Sequence, residues 1–190
     1  MADFILTAEP PLGGYHRSFD GAELSELPDL ACVAVSVPNG EDKAFAKALK
    51  AGYKVEMPDN GCSLLSKDGK ARIMRFTADQ VLVLIDHVKP DAAQVVYSTL
   101  SGVGYPVDQT HNWVALSLSG PLARAALERI CAVNLHRDAF AIDKAERTVM
   151  EHLSAIIVRT GEDEFLLMSA SSSAKSFLHA VETSINYVQI

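Results

Sequence analysis

The sequence predicts an α+β fold of two related halves, each a split β-α-β unit of the ferredoxin-like kind. Three observations predict it. Strand-like apolar runs alternate with stripes at helical spacing. In the first half their order is β-α-β-β-α-β. Finally, residues 75–84 align without a gap with residues 159–168, sharing Arg75/Arg159, Asp79/Asp163 and Leu82/Leu166. Each stretch reads as strand, acidic turn, strand, with a helix following, and an internal duplication accounts for both.

The elements follow from local chemistry. Residues 1–28 hold the breakers Pro10-Pro11 and Gly13-Gly14, and are expected to be an irregular segment. The apolar run 31–37 is a strand closed by Pro38-Asn39-Gly40. A helix over about 41–51 follows, with Phe45, Ala48 and Leu49 on one face, Asn39 as its cap and Gly52 as its stop. Residues 53–70 read as a polar loop. Strands over 71–76 and 80–86 flank the turn Thr77-Ala78-Asp79. Pro90 opens a helix whose stripe is Ala92, Val95, Val96, Leu100 and Val103, and Gly102 and Gly104 stop it before a short strand at 105–107.

The second half begins at Trp113. Val114, Leu116 and Leu118 alternate as in a half-buried strand, and Ser119-Gly120-Pro121 starts a helix with Ala123, Ala126, Leu127, Ile130 and Cys131 inward. A loop spans about 132–146. Strands over 147–150, 154–159 and 164–168 precede a last helix, capped within 171–173, whose stripe includes Ala174, Phe177, Val181 and Ile185. The chain therefore divides into an N-terminal segment 1–28, a first subdomain 29–110 and a second 111–190.

Composition narrows the function. The 190 residues are 48% hydrophobic and 22% charged, as in an ordinary globular chain. The net charge of -7 and the scattered lysines and arginines argue against nucleic acid as a partner. The N-terminus has no basic region ahead of a long apolar run, and no stretch is long enough to span a bilayer, so no membrane role and a cytoplasmic location are expected.

The three cysteines suggest no disulfide framework; Cys32 and Cys131 read as buried and Cys62 as the exposed thiol. None of the six histidines sits at metal-ligand spacing, and no G-x-S-x-G elbow occurs. Gly102-Val103-Gly104 follows a helix, the wrong context for a phosphate loop, and Gly120-Pro121 lacks the glycine-rich turn and one N–H donor. The acidic run 162–164 reads as a solvated hairpin tip. No catalytic, cofactor-binding or metal-binding residues are therefore assigned.

Trp113, the single tryptophan, and the loop residues Leu135, His136, Arg137 and Phe140 are the candidate partner interface. Aromatic, aliphatic and arginine side chains are the types that anchor interface cores.

The run from Trp113 to Leu127 resembles the W-x-x-L-x-L-S-G-P-x-A-R-x-x-L pattern of sarcosine oxidase gamma subunits. The resemblance continues through Asn134-Leu135-His136, Ala145-Glu146-Arg147-Thr148, Met150-Glu151-His152-Leu153 and Ser171 to Ala180. It implies a non-catalytic gamma subunit of a heterotetrameric enzyme that oxidatively demethylates sarcosine to glycine with oxygen and tetrahydrofolate. It also implies a fold similar to the folate-binding domain of the glycine-cleavage T-protein. The implied partners are the alpha, beta and delta subunits. The complex uses FAD, FMN, NAD and tetrahydrofolate, none of them implied to sit in this chain. The K-G-C-Y-x-G-Q-E motif of a related folate-binding branch is absent, since Gly61-Cys62 is followed by Ser63-Leu64. Two alternatives remain open: a stand-alone folate-binding or one-carbon-transfer protein, and a homo-oligomeric binding domain in which the isolated chain self-associates.

Overall fold

The computed structural model describes residues 9–189. Strands β1 (His16–Phe19) and β2 (Ala22–Glu26) come first, followed by β3 (Leu30–Ser36), α1 (Asp42–Gly52), β4 (Cys62–Leu65), β5 (Ala71–Thr77), β6 (Gln80–Asp86), α2 (Ala92–Thr99) and β7 (Tyr105–Asp108). A one-turn 3-10 helix, Thr110–Asn112, leads into β8 (Trp113–Ser119), α3 (Ala123–Glu128), β9 (Ala145–Met150), β10 (Leu153–Gly161) and β11 (Glu164–Ala170). A second such turn, Ser171–Ser173, opens α4 (Ala174–Val188).

The strands form two antiparallel sheets, ordered β4-β5-β6-β3-β7 and β1-β2-β8-β11-β10-β9. The α+β class is as expected. The sheets pack face to face and the helices cover their outer faces, giving layers α/β/β/α. Strand alternation builds this directly. In β3, Ala31, Val33 and Val35 pack with Phe45 and Leu49 of α1 and Val96 of α2. Cys32 and Ala34, pointing the other way, meet Ile156, Val158 and Met168 of the opposite sheet. A strand buried on both faces reads as an unbroken apolar run, which is why 31–37 was so plain in the sequence. The second outer core joins Leu116 and Phe165 to Leu127 of α3 and to Phe177, Val181 and Ile185 of α4.

Two segments expected to be irregular are strands. Residues 1–8 lie outside the described residues, but 16–26 form the β1–β2 hairpin, and β2 pairs along β8 with Leu24 opposite Leu118 and Glu26 opposite Leu116. Ala22 and Leu24 face the core as expected of a strand; the third inward position holds a carboxylate, Glu26, which broke the apolar alternation. Its charge is met by three backbone amides, those of Leu12 (2.9 Å), Gly14 (2.7 Å) and Tyr15 (3.3 Å). Likewise the polar loop 53–70 contains β4, which pairs with β5 from Cys62 opposite Arg75 to Leu65 opposite Arg72. Asn39 is not the cap of α1: Glu41 precedes the helix and makes no side-chain capping bond.

The duplication holds in detail. The β5–β6 hairpin bulges between Arg75 and Thr77, and the β10–β11 hairpin bulges between Arg159 and Gly161, at aligned positions. Each arginine closes its own turn: Arg75 donates to the carbonyls of Thr77 and Ala78, Arg159 to those of Gly161 and Glu162. Each also reaches back to a carbonyl of the preceding loop, Pro58 or Phe140. The halves join through an antiparallel bridge, with the Ser63 amide donating to the Asp143 carbonyl (2.7 Å) and the Ala145 amide to the Gly61 carbonyl (3.0 Å). An ion pair of 2.6 Å between buried Arg72 and Asp143 adds to this seam.

One strand breaks the serial order. In the first half β7, from the end of the unit, flanks β3. In the second half the equivalent place beside β8 is taken by β2, from the N-terminus. Gly120 makes the close approach there: at φ 109°, a Cβ on it would lie 2.6 Å from the Gly21 carbonyl oxygen. Leu24→Ala should therefore cost about 2–5 kcal/mol in urea unfolding, as for a leucine cut out of a core. Val107→Ala on the exposed β7 should stay within about 0.5 kcal/mol.

Candidate functional site

The cleft of chemical interest lies where β3 and β8 begin, at one end of the space between the sheets. Its volume is about 650 Å³. Leu27, Leu30, Cys32, Trp113 and Met168 form the floor and inner wall; His87 to Pro90, after β6, form one rim, and Glu9 to Pro11 another. The turns that follow β7 and β11 bring Asp108, Thr110, His111 and Ser171 to the same place.

Most of the polar groups here hold the cleft together. Besides Glu26, the Asp108 carboxylate accepts from the Thr110 amide (2.8 Å), and the Thr110 hydroxyl accepts from the Cys32 amide (3.1 Å). His87 Nε2 lies 2.5 Å from the Asp91 carboxylate, which that hydrogen bond holds below the usual carboxylate range. The Ser171 hydroxyl donates to the His111 carbonyl (2.8 Å). Burial pushes the Cys32 thiol up to about 12, reinforced by the Asp108 charge and opposed by Arg147, so it is a thiol at neutral pH and not a nucleophile. The Trp113 indole N–H is buried and without a hydrogen-bond partner among the described residues.

A serine–histidine pair does occur elsewhere, His16 with Ser25 at 2.9 Å on the exposed β1–β2 hairpin. The same Nδ1 is the atom facing Glu23 at 3.8 Å, so the ring cannot relay a proton from serine on one nitrogen to carboxylate on the other. Among the described residues no group of three histidine, cysteine, aspartate or glutamate side chains converges as a metal site, and no helix is long and apolar enough to cross a membrane. The amide of Gly120 is taken by the Asp163 carbonyl and that of Leu122 by the Gly21 carbonyl, which leaves no anion cradle before α3.

The structure separates the candidate interface residues. Leu135 and Phe140 are buried, 0% and 2% exposed, inside the outer core beside Leu127 and Phe165. They anchor the loop to its own half and cannot serve as partner anchors. The sequence reading failed there because an irregular backbone was taken for an external one. His136 and Arg137 remain at the surface, and Arg137 bonds to Glu162 (2.7 Å) and Asp163 (3.2 Å). With Arg124 on Asp163 (3.1 Å) and Arg159 on Glu162 (3.5 Å), the solvated hairpin tip expected also carries a charge network. Trp113 is half-buried in the cleft. The strand expected at 105–107 is β7, and its Tyr105 and Val107, not among the interface candidates, are 67% and 53% exposed. Pro106 between them has no N–H for a further strand, so this edge offers side chains more than strand pairing.

Fold and site together define a doubled split β-α-β protein with a cleft at one end of the space between its two sheets. No family model matches the chain. It is similar to sarcosine oxidase gamma subunits, as the sequence patterns indicated. Identity is 26% over 141 residues with that of Corynebacterium sp. strain P-1 and 28% over 121 residues with that of Arthrobacter sp.. The matches cover 74% and 64% of this chain, and span 68% and 60% of the relatives' own lengths.

Among solved structures, a chain of heterotetrameric sarcosine oxidase from Corynebacterium sp. U-96 superposes with a TM-score of 0.73 at 21% identity, over 87% of this chain and 84% of that one. Aminomethyltransferase T of the glycine cleavage system from Bartonella henselae gives 0.63 at 16% identity, over 92% of this chain and 56% of that one. These two share the fold.

Two measurements test the site description. Phe140→Ala should destabilise the isolated chain by about 3–5 kcal/mol, as for a core aromatic. Arg137→Ala, breaking a half-exposed pair, should cost no more than about 1 kcal/mol. In thiol titration of the native chain at pH 8, half-exposed Cys62 should react first, and Cys32 only on unfolding.

Proposed function

We propose that the chain is the gamma-type subunit of a heterotetrameric, cytoplasmic sarcosine oxidase, and that it serves assembly and stability without catalytic groups of its own. The observation that carries this reading is its similarity to gamma subunits over most of the chain, joined to a fold shared with a chain of that heterotetramer. The cleft agrees with it: the Glu26 and Asp108 carboxylates are engaged in structure and the one thiol is suppressed. On this reading the partners are the alpha, beta and delta subunits. The flavins and NAD belong to the large alpha and beta subunits, and tetrahydrofolate is used by the complex. Contact falls on side chains that the fold leaves outside, Tyr105 and Val107 first, with Arg137 and His136 as further surface groups.

A second reading, a folate-binding or one-carbon-transfer protein, draws support from the fold shared with aminomethyltransferase T. The chain matches 56% of that protein's length.

Co-expression with the cognate large subunits should yield a complex containing this chain, while the chain purified alone should be colourless. Tyr105→Ser with Val107→Ser should reduce recovery of the complex and leave the chain's own unfolding curve unchanged. Failure of the unaltered chain to co-purify would sink the assembly reading. Normal recovery with both replaced would move the contact surface elsewhere. Calorimetry showing a saturable one-to-one tetrahydrofolate site on the isolated chain would establish the second reading instead.

A further inference from the structure

Side chains alternate along β5. Ala71 and Ile73 pack toward the helices, while Met74 and Phe76 point between the sheets. Arg72 shares the face of Met74 and is only 9% exposed. An arginine is rarely buried to this degree unless its charge and its donors are met. Its Nη1 is met twice, by the Asp143 carboxylate at 2.6 Å and the Ser63 hydroxyl at 2.7 Å. The Nε–Nη2 edge makes no hydrogen bond among the described residues, and neither nitrogen is sealed from solvent. Two parallel N–H groups on one edge of a guanidinium form the fork that a carboxylate accepts in bidentate fashion.

Arg72 lines a second, smaller opening between the sheets, a slot of about 190 Å³ that shares only Leu27 and Leu30 with the larger cleft. Strand register builds its walls. Leu84 and Leu65 flank Arg72 on neighbouring strands of one sheet. Ser117 and Leu166, paired across β8 and β11, line it from the other sheet. Lys70 and Asp86, both exposed, stand at its mouth with opposite charges. The slot is thus leucine-walled and holds one fixed, unused pair of charged donors. We propose that it binds a small carboxylic acid as the anion, its carboxylate on the Nε–Nη2 edge of Arg72 and its short apolar chain on the leucine wall. At roughly 30 Å³ for each water the slot has room for about six, the size of an acid of about five carbons. A phosphate dianion fits less well: Asp143 already balances Arg72 and Asp86 balances Lys70, which leaves donors but no excess positive charge. The site belongs to this chain alone and does not rest on the assembly reading.

Titration calorimetry of the full chain with 3-methylbutanoate should show saturable one-to-one binding. The amide of the same acid has the same shape without the charge, and should bind about ten-fold more weakly or not at all. Arg72→Lys keeps a cation beside Asp143 but loses the fork, and should weaken binding by about ten-fold or more. Because Arg72 also joins the two halves, Ser117→Val serves as a second variant: it leaves the arginine in place, narrows the slot and should likewise weaken binding. Urea unfolding of each variant checks that it is folded. No saturable binding of the acid to the unaltered chain overturns the proposal. So does equal binding of acid and amide, unchanged affinity in the folded variants, or tighter binding of inorganic phosphate than of the acid.

Discussion

Strand β8 has two edges to satisfy, and its own half of the chain supplies a neighbour for only one. β11 pairs with one side; the other would leave a row of buried N–H and C=O groups unpaired in the middle of a protein, a cost of roughly 1–3 kcal/mol for each group. The N-terminal hairpin meets that constraint. β2 lies along β8 from Glu23 to Glu26, and β1 closes the outer side. Much else follows from this borrowing. Glu26 must be buried to complete the strand, so the loop 10–15 folds back to supply amides to its carboxylate. Tyr15 and Arg17 then reach Glu182 on α4, at 2.6 and 3.0 Å, and Gln189 reaches the Asp20 carbonyl, tying the two ends of the chain together.

The same borrowing shapes the cleft. β2 must run on into β3, and the crossing segment 27–29 passes over the start of β8, where Trp113 stands. The equivalent connection in the first half runs from β7 through the 3-10 turn at Thr110–Asn112, and the two meet on opposite sides of one opening. The cleft is therefore the place where the two half-units exchange chain. Its polar groups are those needed to turn corners, such as Asp108 on the Thr110 amide. That origin explains why several of its titratable residues, the His87–Asp91 pair at the rim among them, are engaged in holding turns.

Most of the regular fold was legible in the sequence because most of its strands are buried on both faces or sit next to an acidic turn. The pairing of Arg75 with Arg159 was visible as sequence similarity, and the structure gives its reason, since both arginines close the same bulged turn. β2 and β4 were not legible: one carries an inward glutamate and the other follows Asp59-Asn60-Gly61, so each reads locally as a loop although long-range pairing makes it a strand. Leu135 and Phe140 misled for the converse reason, being core residues on irregular backbone. The cleft could not have been assembled from the sequence at all, because its walls come from stretches near residues 10, 28, 88, 110 and 170.

The borrowed strand also sets an order of events during synthesis. β2 leaves the ribosome well before its partner β8, which is some ninety positions later, with Leu24 opposite Leu118. The first sheet, β3 to β7, is complete in sequence before β8 exists, and can close while the N-terminal hairpin waits without a neighbour. Joining ends so far apart adds loop-closure entropy to the last step and slows it relative to the local hairpins. During that wait the exposed edge is an invitation to pair with the wrong chain, and its charged flanks, Arg17 and Glu23, are the sort of residues that discourage it.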